Sequence, residues 1–195
     1  MTVEPVTLVG KHVRLVPLAI EHVGALACVG LDPELWRWGI STLATAGDLR
    51  AYVNTALDEQ RRGISLPFAV VDQLRDEVIG STRYGNIAPA DRRLEIGWTW
   101  YAAAHQRTAA NTETKLLLLA HAFEALGAMR VEFKTDALNT RSRAALARIG
   151  AVEEGIFRKH MLTASGRVRD SVYFSIVDTE WPAVKARLTS KLAAG

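Results

Sequence analysis

Leu94-Glu95-Ile96-Gly97-Trp98-Thr99-Trp100-Tyr101 leads into Gln106-Arg107-Thr108-Ala109-Ala110-Asn111-Thr112, and from there into an apolar stretch that closes at Leu126-Gly127. The first segment reads as a strand, bounded by polar turn residues. Residues 112–126 follow helical spacing and are apolar over much of their surface, so a largely buried helix is expected, with Gly127 as its stop. A helix that starts just beyond a sheet is a ready anion site, because its first backbone N–H groups have no internal acceptor.

Outward from this junction, Pro67–Asp72 and Val78–Tyr84 read as two earlier strands, antiparallel to each other and to 94–101 across short polar turns. Before them come a strand at His12–Val16, short helices at Ile20–Gly30 and around Asp32-Pro33-Glu34-Leu35, and a better helix at Gly47–Arg62. After the junction come a strand at Val131–Thr135 and a helix at Asn139–Ile149 stopped by Gly150. A hairpin of Val152–Met161 and Val168–Val177 then turns at Ala164-Ser165-Gly166-Arg167. This order implies an α/β (α+β) chain: a mixed sheet of about seven strands, mainly antiparallel and flanked by helices, not a doubly wound parallel sheet.

The 195 residues, with 49% apolar and 23% charged, suit one domain over 1–195 with a real core. A single cysteine, Cys28, excludes an intrachain disulfide, disfavours a cysteine-based zinc site and suits a reducing, cytoplasmic setting. Cys28 is expected to be a core thiol. His12, His22, His121 and His160 have no metal-ligand spacing, so no metal is expected; His105 beside the loop is either a surface histidine or a phosphate contact. No signal peptide and no membrane span are expected, because no apolar run is long enough. A net charge of +3 with signs interspersed does not argue for nucleic acid.

The residues 106–112 are, apart from Gln106 and Arg107, small or capping types. They let backbone amides approach a diphosphate, and Arg107 can add charge-assisted contacts. No Gly-Lys-Ser/Thr follows and no dinucleotide fingerprint is present. A plain helix start is the alternative reading. Asn139 is a good N-cap three residues before Ser142. Glu95 is either an ordinary strand carboxylate or a base. Trp36 and Trp38 either pack or shape a groove.

The element order, the Gln106–Asn111 loop and the Asn139-x-x-Ser142…Gly150-Ala151 segment followed by Glu154-Gly155-Ile156-Phe157-Arg158 resemble the GNAT superfamily of N-acetyltransferases. Within it, the resemblance is to the subgroup that acetylates the N-termini of ribosomal proteins. The family's diphosphate loop has the pattern Gln/Arg-x-x-Gly-x-Gly/Ala; here Ala109 stands for the first glycine and Asn111 for the second small residue.

That resemblance implies a GNAT fold using acetyl-CoA as co-substrate, bound by Gln106, Arg107, Thr108, Ala109, Ala110, Asn111 and Thr112. It implies Asn139 and Ser142 beside the pantetheine arm, with Ser142 as the acid that protonates the departing thiolate. Glu95-Ile96 is similar to the Glu-Ile pair whose glutamate is the general base in histone-type members. The strand end at Trp100 and Tyr101 is implied to splay from its neighbour and to hold the acetyl carbonyl and pantetheine amide through its backbone. The base has a chemical reason: a lysine amine has a pKa of about 10.4 and an α-amine about 7.7–8.0, so either must shed a proton before attack. The implied acceptor is a primary amine, either a protein N-terminus or a small polyamine or antibiotic; a homodimer is compatible. Two other classes stay open. One is a CoA-binding protein without catalysis, from the altered loop. The other is a basic ribosome- or RNA-associated protein, from Arg141, Arg143, Arg148, Arg158, Arg167 and Arg169.

Overall fold

Val13 and Leu15 are buried while Arg14 between them is not, and that alternation makes β2 (Val13–Pro17) a strand with one face on the core. The computed structural model describes residues 1–194. Its other strands are β1 (Leu8–Val9), β3 (Leu66–Asp72), β4 (Glu77–Ala88), β5 (Arg93–Tyr101), β6 (Arg130–Asp136), β7 (Val152–Leu162) and β8 (Val168–Val177). They form one sheet in the order β1-β2-β3-β4-β5-β6-β8-β7. Every neighbouring pair is antiparallel except β5–β6, which is parallel. Eight strands replace the expected seven or so because two-residue β1 adds to the edge, too short to leave a periodic signal.

Helices α1 (Val23–Gly30), α2 (Pro33–Trp36) and α3 (Ala46–Arg61) cover one face of the sheet over β3, β4 and β5. Leu26, Trp36, Leu49 and Val53 pack there against Ala69 and Trp100. Cys28 is exposed, not a core thiol, because α1 buries the stripe Val23, Leu26 and Gly30 and turns Cys28 outward. On the opposite face α4 (Ala109–Ala120), α5 (Thr140–Ile149) and α6 (Trp181–Ala193) enclose Leu118, Phe133, Leu146, Phe174 and Trp181. Helix α6 has no counterpart in the sequence reading. It rests on Trp181, Val184 and Leu188, at helical spacing, with Pro182 in the first turn.

Helix α4 begins at Ala109, three residues before the expected Thr112, because Thr108 caps it. It ends in a widened π turn at His121–Ala125. Glu113 on α4 is buried and accepts backbone N–H bonds from Lys11, His12 and Val13 at 2.9, 2.7 and 2.7 Å. One carboxylate thereby pins the start of β2 to the helix.

Candidate active site

The site is built where two parallel strands part. Strand β5 pairs with β6 only at Arg93–Arg130, Leu94–Val131 and Glu95–Glu132. Beyond Glu95 the backbone edge of β5 has no strand partner on that side, so its N–H and C=O groups are free for another chain or ligand. On its other side the β4–β5 register jumps from Ser81–Trp100 to Arg83–Gly97, a bulge with one extra residue on β5. Trp98 there takes φ +50, the left-handed region that bulky residues avoid. The strained turn is held from both sides. A Cβ on Gly85 would lie 2.3 Å from the Trp98 ring, so only glycine leaves the indole its seat. The Arg83 guanidinium sits 5.0 Å from the same ring.

The loop after β5 closes toward α4 through Arg107 at φ +63. Thr108 Oγ1 accepts from Ala110 N at 3.2 Å and donates to His105 O at 2.8 Å. The amides of Ala109 and Asn111 lie in the first turn without helical acceptors, whereas that of Thr112 closes the turn. Arg107 is exposed beside them. Gln106 donates from Nε2 to Tyr101 O at 3.2 Å and accepts from Arg141 Nη2 on α5. A single amide side chain thus ties the end of β5, the loop and the start of α5 together.

At that start Asn139 Oδ1 accepts from Ser142 N at 3.0 Å, the cap that the sequence indicated, and Ser142 is half-buried. The side chains of Trp100 and Tyr101 point away from the opening between β5 and β6. Trp100 packs edge-on against Trp36 at 5.5 Å, and the Tyr101 hydroxyl is pushed upward in pKa by burial against α4. Of their backbone groups, those of Trp100 face Ser81 on β4 and the Tyr101 carbonyl is taken by Gln106, which leaves the Tyr101 N–H on the side of the opening.

Glu95 is 3% exposed: it is a paired strand carboxylate, not a solvent-facing one. It accepts from Asn86 Nδ2 at 2.7 Å and lies 3.5 Å from Lys134 Nζ. Lys134 sits 5.8 Å from the Tyr173 ring on β8. Farther along that face come Ser171 and Arg169, and from β7 comes His160, which packs edge-on to Tyr173 at 5.8 Å. Helices α1–α3 stop short of this half of the sheet. Its far wall is the loop after α2, where Ile40 O accepts from Ala164 N at 3.1 Å and the Trp38 ring lies 5.7 Å from the Arg167 guanidinium. Trp38 therefore shapes this groove, while Trp36 is core.

Lys115 is the residue least legible in advance. It is 6% exposed, under the divergence of β5 and β6, donates to Thr99 Oγ1 at 3.1 Å and sits 5.5 Å from the Phe133 ring. Burial pulls its pKa down to about 7, with the Glu95 charge opposing that shift. Its one sequence signal is a lysine within the apolar run Leu116-Leu117-Leu118-Leu119 and its approach. Lys134 and Ser171 had no signal beyond strand alternation, and Arg169 was read only as one of several basic residues. The structure brings Glu95, Lys134 and Tyr173 together on one side of the opening; Gln106, Arg107, Asn139 and Ser142 gather at its other end.

Comparison with known proteins places this geometry. The family model for the acetyltransferase (GNAT) domain matches residues 12–152. An uncharacterized N-acetyltransferase, p20, from Bacillus licheniformis is 26% identical over 176 residues, 90% of this chain and 98% of that protein. The crystal structure of a GCN5-related N-acetyltransferase from Brucella melitensis superposes with TM-score 0.91 at 32% identity, covering 98% of this chain and 87% of the other. Mycobacterium smegmatis RimJ in complex with CoA-disulfide gives TM-score 0.83 at 26% identity, covering 96% and 95%.

Proposed function

The chain belongs to the GNAT acetyltransferase family, and from that premise we propose that it transfers the acetyl group of acetyl-CoA to the α-amine of a polypeptide. The carrying observation is the opening between β5 and β6 with buried Glu95 at its mouth. The residues present fit the co-substrate: a free strand edge suits the amides of a pantetheine arm. The uncommitted amides of Ala109 and Asn111, with Arg107, suit a diphosphate.

Acetyl-CoA supplies an acyl group activated as a thioester. The edge of β5 away from β4, at Tyr101, orients that group and offers an N–H donor to its carbonyl. Gln106, through Tyr101 O and Arg141, fixes the loop relative to Asn139 and Ser142. Glu95 takes the proton of the incoming amine, directly or through a water. Ser142 gives a proton to the departing sulfur.

Glu95 is held at the mouth of the opening by Lys134 and Asn86. An α-amine with a pKa of about 8 carries a sizeable neutral fraction at neutral pH, whereas a lysine at about 10.4 carries roughly a thousandth. An α-amine therefore asks less of a base than a lysine does. The groove between the β7–β8 hairpin and the Trp38 loop gives such a chain a path out.

The test is mass spectrometry of N-terminal peptides, lysine peptides blocked at the N-terminus, and polyamines after incubation with acetyl-CoA. Gain of one acetyl on the free N-termini is expected. Glu95→Gln should lower that turnover about 100-fold or more at neutral pH while acetyl-CoA still binds. Exclusive acetylation of polyamines would overturn the proposal.

A further inference from the structure

The open half of the sheet beside Glu95 carries polar groups that the fold leaves unsatisfied. Ser171 is fully buried, and its Oγ has no hydrogen-bond partner among the described residues. Arg169 is 6% exposed; its Nε is buried without a hydrogen bond, and its nearest counter-charge is Asp136 Oδ2 at 3.9 Å. That carboxylate is already held by Arg167, so it serves two guanidinium groups. His160 Nδ1 is a third buried atom without a partner. Among the described residues Lys134 makes no hydrogen bond shorter than its 3.5 Å contact to Glu95, beside the Tyr173 ring at 5.8 Å.

Charge on this shelf is out of balance. Lys134, Arg167 and Arg169 face Glu95 and Asp136, three cations against two carboxylates. Arg158 and Lys159 line the same groove with Phe157 and His160; Asp170, which accepts from Lys159 N at 2.6 Å, offsets one of the two, so this end adds one net positive charge. Glu132 and Glu154 do not offset it, because Arg130 occupies both. Burial lowers the pKa of Arg169, as expected of a cation short of a partner. A buried guanidinium and a buried hydroxyl two residues apart on one strand face, both short of partners, are donors suited to an anion.

We propose that this shelf receives a carboxylate of the acceptor, so that the preferred substrate is a polypeptide α-amine followed within two residues by Asp or Glu. The proposal rests on the α-amine reading above. Spacing supports the second or third residue. Tyr173, beside Lys134, and Ser171 are two residues apart on one strand face, about 7 Å along β8. An amine at Glu95 thus places a side chain one or two residues on opposite Ser171 and Arg169.

The experiment uses the full chain, acetyl-CoA and a set of peptides that share an N-terminal alanine and differ only at positions 2 and 3: Asp or Glu, Asn or Gln, and Lys. An acidic peptide should exceed its amide counterpart about ten-fold or more in kcat/KM, chiefly through KM, and exceed the lysine peptide further. Arg169→Gln and Lys134→Gln should each shrink the acidic-to-amide ratio toward one. If Arg169→Gln does not fold, Lys134→Gln and the peptide series on the parent chain carry the test. Equal rates across the set, or a preference for lysine, overturn this proposal and leave the α-amine reading intact. Failure of every peptide to be acetylated, with turnover of a polyamine, overturns both.

Discussion

Lys115→Met removes one titrating amine and keeps an unbranched apolar stem under the opening between β5 and β6. In the unfolded chain a lysine titrates near 10.5; buried against Phe133 with Thr99 as its one hydrogen-bond partner, Lys115 titrates near 7. The folded pKa is depressed. Between pH 10.5 and 7 the unfolded chain therefore takes up a proton that the folded chain refuses, and stability falls as pH drops through that window and levels off below 7. The slope is about 1.4 kcal/mol per pH unit, which amounts to about 3 kcal/mol between pH 7.5 and 9.5. Removing the amine should raise stability at pH 7.5 by up to about 4 kcal/mol, worth on the order of 10 °C in Tm for a chain of this size. The assay is urea unfolding followed by circular dichroism at pH 7.5, 8.5 and 9.5, for parent and variant. Parent stability should climb with pH relative to the variant and the two should converge. Tyr84 and Tyr101 are pushed above their ordinary range by burial and are common to both proteins, so their effect cancels in the difference. A variant no more stable than the parent at pH 7.5, or a difference independent of pH, would refute the reasoning.

Ser142→Ala should lower turnover with Tm unchanged, since the hydroxyl makes no bond in the fold and only the Ser142 amide is used by the cap; equal rates would remove Ser142 from the site. Asn139→Ala should lower turnover and also cost about 1 kcal/mol through the lost N-cap, whereas Asn139→Ser should keep most of the cap and isolate the effect on turnover. Glu113→Gln should lose about 3 kcal/mol in urea unfolding, because an amide oxygen replaces a carboxylate that serves three backbone donors; a loss under 1 kcal/mol would show that Glu113 does not pin β2.

What was legible in the sequence was what local chemistry determines. The Asn139 cap and the Gly150 stop, which takes φ +99, follow from side chains within one turn of each other. The hairpin at Gly166, with φ +78, is local in the same way. Partners distant in sequence were not legible. Glu95 alternates with Leu94 and Ile96, so it reads as outward-facing; it is buried because Asn86 and Lys134 close over it from other strands. Lys115 breaks an apolar helix face and acquires a meaning only through Thr99 and Phe133. The start of α4 was misplaced by three residues because Ala109 and Ala110 look like loop in a family pattern that has glycine there, while Thr108 caps them into the helix. The last helix, α6, went unread although its buried stripe, Trp181, Val184 and Leu188, is regular.

Strand β7 is eleven residues long and lies at the end of the sheet, with Val152, Ile156, Phe157 and Leu162 about half exposed or more. A flat border of that length and apolar content would be a template for fibril growth, each molecule adding a strand to the next. Here the pairing with β8 slips twice, between Glu153 and Gly155 and between Phe157 and Met161, and Lys159 takes φ +49 inside the second slip. The border is therefore kinked, and no long run of its amides lies in one line. The same kinks that carry Phe157 and His160 toward the groove keep the molecule from polymerising along its own sheet.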